Sequence, residues 1–177
     1  MLTLFPGERP EYPEGPPPKD MSREDNAAVF TLHRGAKLTN ISALVFRPQG
    51  RYNGVKRFPS ERLDQPPEAV YHTVQHGLKL AFYQAGTALL GVEPPWGALT
   101  GVRPVKLPTR AMLAGATLKQ AQRELEKEYR VSPDRARLAV DCARASVEAR
   151  RSLGPDQVSL YIGIPFCPSR CAYCSFV

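Results

Sequence analysis

The stretch Val158-Ser159-Leu160-Tyr161-Ile162-Gly163-Ile164-Pro165-Phe166-Cys167-Pro168-Ser169-Arg170-Cys171-Ala172-Tyr173-Cys174 decides how this chain is read. Residues 158–164 are β-branched, aliphatic and aromatic with no helical period, which predicts a buried strand of the parallel-sheet kind. Pro165 cannot donate to a ladder and ends it. The cysteines follow at once, in a loop at the C-terminal end of that strand, where α/β folds place their sites. Cys167, Cys171 and Cys174 stand in the spacing C-x3-C-x2-C. Three thiolates on one tight loop can take three corners of a cubane iron–sulfur cluster and leave the fourth iron without a protein ligand. An open coordination position marks a catalytic metal centre rather than a structural one. A small molecule with an amine and a carboxylate would chelate that iron.

Other chemistries fit the cysteines less well. Structural zinc usually needs four ligands, commonly as two separated pairs, and the nearest histidine, His76, lies far upstream on a helix. Cys171 and Cys174 make a C-x2-C pair suited to disulfide exchange, but no thioredoxin-like βαβ pattern surrounds them. His72 and His76 are four apart on the same helix, a spacing that can bind metal. They lack a third ligand and lie off the apolar stripe, so they read as solvent-facing.

Upstream of the cysteine stretch, residues 132–153 form a helix, with Ser132 as cap and Pro133 at its first position. Its stripe reads Leu138, Cys142, Ala145 and Ala149, which makes Cys142 a small core residue. Thr117 and Gln120 form a capping-box pattern for a helix to about Tyr129. Residues 109–114 make a shorter helix. Residues 94–104, from Pro94-Pro95-Trp96-Gly97 to Pro104, form a turn-rich loop whose lone Trp plugs the core beneath it or, alternatively, meets substrate. Residues 67–90 are the strongest helix, with Val70, Val74, Leu78, Ala81, Phe82, Ala85 and Leu89 in one stripe and Gly91 as its stop. Residues 28–33, 41–47 and 55–58 read as strands of a small antiparallel sheet. Turn signals separate and follow them at Arg34-Gly35, at Pro48-Gln49-Gly50 and at Asn53-Gly54. Prolines crowd residues 1–26, which read as extended or disordered, with at best a short strand over 2–5.

The layout expected is therefore α+β: residues 1–26 proline-rich, 27–60 a small antiparallel sheet, 61–155 a helical subdomain, and 156–177 the strand and cysteine loop. The chain has 177 residues, 42% hydrophobic and 23% charged, enough for a core. No apolar run approaches the roughly 18 residues that span a bilayer. With no secretory leader at Met1–Pro6, the expected compartment is the cytoplasm. Net charge is +7, and residues 101–153, with 12 Lys/Arg against 6 Asp/Glu, supply +6 of it. That excess fits an anionic partner or ordinary solvated helix faces. The helices at 117–129 and 133–153 could form a helix-turn-helix on nucleic acid. Glu124, Glu126, Glu128 and Glu148 interleave with the basic residues and argue against it.

The cysteine segment resembles the radical S-adenosylmethionine superfamily, whose hallmark is this spacing with an aromatic residue, here Tyr173, before the third cysteine. The longer string from Tyr161 to Phe176 resembles the oxygen-independent coproporphyrinogen III oxidase group. The loop from Pro95-Trp96-Gly97 to Arg103-Pro104 points to its coproporphyrinogen dehydrogenase branch. The resemblance covers about residues 67–177. It implies that Cys167, Cys171 and Cys174 ligate a 4Fe-4S cluster and that Tyr161 and Tyr173 contact S-adenosylmethionine. Gly163 departs from the better-known oxidases, which carry His there.

The implied activity is oxidative decarboxylation of coproporphyrinogen III. An electron donor reduces the cluster, S-adenosylmethionine is cleaved, and a carbon radical takes hydrogen from a propionate, which becomes a vinyl group with loss of an electron and of carbon dioxide. Related proteins with the same cysteine spacing are haem chaperones, an alternative that haem binding would separate. The implied fold is a (β/α) barrel, of which 156–177 hold only the first strand and cluster loop. Such a barrel needs roughly 200 residues or more. The expectation is a truncated barrel, in an N-terminal part that is inactive alone.

Overall fold

The computed structural model describes residues 4–5, 8, 11–12, 14–15, 26–99, 103–164 and 166–167. Three strands form an antiparallel meander in the order β1-β2-β3: β1 (Ala27–Arg34), β2 (Leu38–Arg47) and β3 (Gly50–Pro59). Each is the run expected from its β-branched and aromatic residues, extended by a few positions at its ends. Ala28 pairs with Val45, and Ala43 pairs with Phe30 on one side and Gly54 on the other. Side chains alternate across the sheet, so Thr39, Ile41, Ala43 and Val45 of β2 all lie on one face and all are buried.

That face is covered by α1 (Pro67–Leu90), which packs against β2 and β3. Prolines at its entry suit the first turn. Gly91, at φ 65°, closes it, its N–H donating to the Thr87 carbonyl at 2.8 Å. The core beneath contains Ile41, Ala43, Val45, Phe58, Ala81, Phe82 and Ala85, with Val74, Leu78 and Leu89 at its margin, as the stripe predicts. Leu80 and Tyr83, outside that stripe, are buried instead against Ala98 of the loop that follows. The grouping of 61–155 as one helical unit thus differs from the packing, in which α1 belongs with the sheet.

Asn53-Gly54 is not a turn. Both residues lie inside β3, and Gly54 is where α1 comes down on the strand. A Cβ there would stand 2.0 Å from the Ala81 carbonyl oxygen. The Val55 N–H donates to Gln84 Oε1 at 2.9 Å at the same crossing.

Three helices make a second core: α2 (Lys106–Leu113), α3 (Leu118–Glu128) and α4 (Pro133–Arg151). The capping box is present, with the Gln120 N–H donating to Thr117 Oγ1 and the Thr117 N–H to Gln120 Oε1. Ser132 occupies the N-cap of α4 without a side-chain cap bond. Ala121, Leu125, Val131, Ala136, Ala139, Val140, Ala143 and Val147 pack with Met112. Cys142 is therefore not a core residue. It is exposed, as are Leu138, Ala145 and Ala149. The buried stripe of α4 runs two positions away, and two residues along a helix turn about 200° around its axis.

Residues 158–164 form no strand here. They run irregularly after α4, with Val158, Leu160, Ile162 and Ile164 all at least 75% exposed. Strand structure comes from pairing with a neighbour, and a run apolar on both faces also needs cover on both. Among the described residues neither is supplied, so local preference alone does not make the strand. In the proline-rich stretch, Leu4 and Phe5 make no strand but pack on the sheet core. Glu8 accepts from Arg47 at 2.6 Å. Leu2 and Thr3 of the expected strand lie outside the described residues.

Candidate functional site

α4 ends at Arg151 and delivers the chain to the candidate site through a short turn. There the Gln157 N–H donates to the Gly154 carbonyl at 3.1 Å, and the Gly154 N–H returns a bond to Gln157 Oε1 at 2.9 Å. Gly154-Pro155 breaks the helix as expected. Beyond it Tyr161 is 92% exposed, and its ring lies over Gly163, with Cε1 3.3 Å from where a Cβ at 163 would stand. Residues 161 and 163 are two apart, so an extended backbone puts them on one side. A histidine at 163 would compete for the space beside that ring.

Cys167 is exposed at the end of this run. Cys171, Tyr173 and Cys174 lie outside the described residues. The structure thus brings Tyr161 to Gly163 and presents Cys167 to solvent. Cys142, on the outer face of α4, is no part of the loop.

The Trp loop is a second structured feature. Trp96 packs against the α2–α4 core, with the Arg135 guanidinium 5.8 Å from its ring centre. Its expected role as a plug thus holds. The loop is clasped to the α3–α4 turn: the Ala98 N–H donates to the Tyr129 carbonyl at 2.8 Å and the Ser132 N–H to the Pro95 carbonyl at 2.9 Å. Gly97 makes this possible at φ 57°, where a Cβ would stand 2.2 Å from the Tyr129 oxygen. Residues 100–102 of the loop lie outside the described residues.

His76 is not the solvent-facing residue the sequence suggests, whereas His72 is exposed. Its ring centre is 4.8 Å from that of Tyr129, and its Nε2 is 3.9 Å from Glu128 Oε2. Lys56 Nζ donates to the same carboxylate oxygen at 2.8 Å. Burial, aided by the Lys56 charge, pushes the His76 pKa below its usual 6.5, against the pull of Glu128. The Lys56 hydrogen bond draws Glu128 below the usual carboxylate value. Sequence reasoning missed this group because its members come from β3, α1 and the end of α3. Among the described residues no set of three His, Cys, Asp or Glu side chains is placed to hold a metal ion. No described helix is long and apolar enough to cross a membrane.

No family model and no solved structure matches the chain. A curated protein does: over 115 residues the chain is 34% identical to the oxygen-independent coproporphyrinogen-III oxidase-like protein HemZ of Bacillus subtilis (strain 168). The aligned stretch is 64% of this chain and 23% of that protein, so the chain spans less than a quarter of the length of the curated relative it matches, and the resemblance first read from the cysteine and Trp loops is to a HemZ-like protein.

Proposed function

We propose that this chain carries the cluster-binding loop of a radical S-adenosylmethionine enzyme similar to oxygen-independent coproporphyrinogen III oxidases. The observation that carries the reading is the C-x3-C-x2-C loop with Tyr173 before its third cysteine, supported by the 34% identity to HemZ. The donor set fits the group. It is three soft thiols, the ligands iron–sulfur clusters take, and the one described, Cys167, is accessible. Cys167, Cys171 and Cys174 would hold a 4Fe-4S cluster, and Tyr161 and Tyr173 would contact S-adenosylmethionine. Together the two cofactors would supply one-electron chemistry at a C–H bond of the substrate.

The protein's own residues hold and shield. Tyr161 presents its ring beside Gly163, in the space a side chain at 163 would take. In this reading residues 156–177 would supply the first strand and the cluster loop of a (β/α) barrel. The substrate is coproporphyrinogen III, whose propionates become vinyls, and an electron donor is the further partner.

The test uses the full-length protein, reconstituted anaerobically with iron and sulfide and given a strong reductant. Wild type is expected to hold four irons and release deoxyadenosine from S-adenosylmethionine. Cys171→Ser keeps the size but loses the soft thiolate, so both signals fall to background. Cys142→Ser leaves both intact. Deoxyadenosine from the Cys171→Ser protein, or its loss in the Cys142→Ser protein, overturns the ligand assignment. Deoxyadenosine release without any turnover of coproporphyrinogen III overturns the substrate alone.

A further inference from the structure

Two units of this chain, each with its own core, meet through a small joint. β1, β2 and β3 with α1 make one unit, and α2, α3 and α4 make the other. One contact between them is apolar, with Ala98 of the Trp loop buried against Leu80 and Tyr83 of α1. Another is charged. Lys56 Nζ of β3 donates to Glu128 Oε2 at the end of α3 at 2.8 Å. His76 of α1 stands 3.9 Å from the same oxygen, with its ring 4.8 Å from that of Tyr129. Units joined by an interface that is neither large nor strongly hydrophobic move relative to each other. The ion pair holds weakly, because its carboxylate is half-exposed. A modest change at His76 is then enough to tip the balance.

The joint is a poor place for a positive charge on His76. Lys56 faces the ring from β3, and Lys79 acts on it from α1 itself. Glu128 is the carboxylate that pulls the other way, but it already accepts from Lys56 and feels Arg62 of the turn Ser60–Asp64. The Tyr129 hydroxyl, its pKa raised by burial and by Glu124 and Glu128, stays neutral and brings no compensating charge. Burial and the Lys56 charge accordingly hold the His76 pKa below 6.5 while the units are joined. When the helical unit moves off, Tyr129 leaves with it, and the imidazole returns to water and toward its ordinary pKa. The parted form takes up the proton first, so the joint is favoured above about pH 6.5 and loses favour as pH falls through that value. Histidine is the side chain whose ordinary pKa lies in this range, and His33 and His72 are exposed.

We propose that His76, set between Lys56 and the Glu128–Tyr129 end of α3, is a proton-operated latch that holds the helical unit to the sheet unit when neutral and releases it when protonated. Release parts the Leu80–Tyr83–Ala98 contact and leaves each core folded. α4 belongs to the released unit and delivers the chain to the candidate site, so the latch governs how the part bearing that site is held to the sheet. The device stands whatever the cysteines bind.

A cysteine placed in the joint reads its opening. Ala98→Cys in the full-length protein is pulsed with a pyridyl disulfide, and modification at position 98 is read by peptide mass spectrometry against the urea-unfolded chain at the same pH. From about pH 7.5 to about pH 5.5 its protection is expected to fall at least about threefold. At the lower pH the amides of β2 and α4, followed by hydrogen exchange in the same protein, should open at least about tenfold more rarely than position 98. His76→Gln, neutral at both pH values, removes the fall. His72→Gln, on the same helix and exposed, keeps it. Should Ala98→Cys lose its helical circular dichroism, Leu80→Cys, across the same contact, is read instead. A fall that persists with His76→Gln, or that vanishes with His72→Gln, overturns the proposal. So does equal protection at the two pH values. Position 98 opening no more often than β2 and α4 at the lower pH makes the acid response global unfolding and overturns it too. None of these readouts needs a bound cluster, so failure here is distinct from failure of the cofactor assignment.

Discussion

Gly54 sets how closely α1 can lie on the sheet. A Cβ at this position would meet the Ala81 carbonyl oxygen at 2.0 Å and the Ala85 amide nitrogen at 2.8 Å, both backbone atoms that a rotamer change cannot move aside. Gly54→Ala is expected to cost about 2–3 kcal/mol, the upper range for overpacking a tight contact, read as a lower denaturation midpoint. An unchanged midpoint would show that α1 sits farther from β3. At sequence level Asn53-Gly54 resembles a hairpin turn, because glycine serves both turns and close backbone approach, and only the helix above distinguishes them. His76 is a second residue whose setting comes wholly from the fold. Its native pKa is depressed below the usual 6.5, so on acidification the unfolded chain takes up the proton first. Stability is then lost as pH falls below about 6.5 and levels off under the native value. Glu128, also depressed, adds its loss only below its own usual 4.5. His76→Gln should flatten the stability profile between about pH 7 and pH 5 and leave the steeper acid limb in place. Chemical denaturation at stepped pH measures this, and identical profiles for both proteins would remove His76 from the account.

Elements whose signals are local were legible in the sequence. The Thr117–Gln120 capping box, the Pro67 and Pro133 starts and the Gly91 stop all depend on contacts within a turn or two, and each element stands where those residues put it. α4 shows where this reasoning fails. Leu138-Cys142-Ala145-Ala149 and Ala136-Val140-Ala143-Val147 have the same period, and the period cannot say which stripe meets α2 and α3. Alanine and valine suffice as the buried stripe where helices pack closely. Residues 158–164 fail for a related reason, since a strand exists only with a neighbour. In the candidate site, the cysteine spacing and the tyrosine positions are features of the sequence itself, whereas the Tyr161–Gly163 contact was not legible in it. A pair of substitutions tests the sidedness of α4. Val147→Asp places a charge among Met112, Leu125 and Ala143 and should cost about 3 kcal/mol or more, seen as lost hydrogen-exchange protection in α2 and α3. Ala145→Asp, on the outer face, should leave that protection within about 0.5 kcal/mol. Equal effects would contradict the orientation of the helix.

On the scale of the molecule, two cores meet through few contacts. The sheet with α1 forms one, and α2, α3 and α4 form the other. Between them stand the small cluster of Leu80, Tyr83 and Ala98 and the Lys56–Glu128 ion pair with His76 beside it. The Trp loop is the principal joint, because Ala98 packs on α1 while Trp96 and Leu99 pack on the helical core. Gly97 sits at the centre of that joint, at φ 57° and against the carbonyls of Tyr129 and Arg130. Gly97→Ala would force alanine into a left-handed backbone, at about 1 kcal/mol, and push the loop off the two oxygens. The clasp from Ala98 to Tyr129 and from Ser132 to Pro95 would open with it. The helical core then loses the cover of Trp96 and Leu99, whereas the sheet core keeps every residue it has. Native-state hydrogen exchange can read the two cores separately. In wild type, amides of β2 and α4 should open with similar free energies, because the joint couples them. In Gly97→Ala, exchange in α4 should rise by about tenfold or more while β2 holds its wild-type rate. If both cores weaken by the same amount, the loop is part of one cooperative unit and not a joint between two.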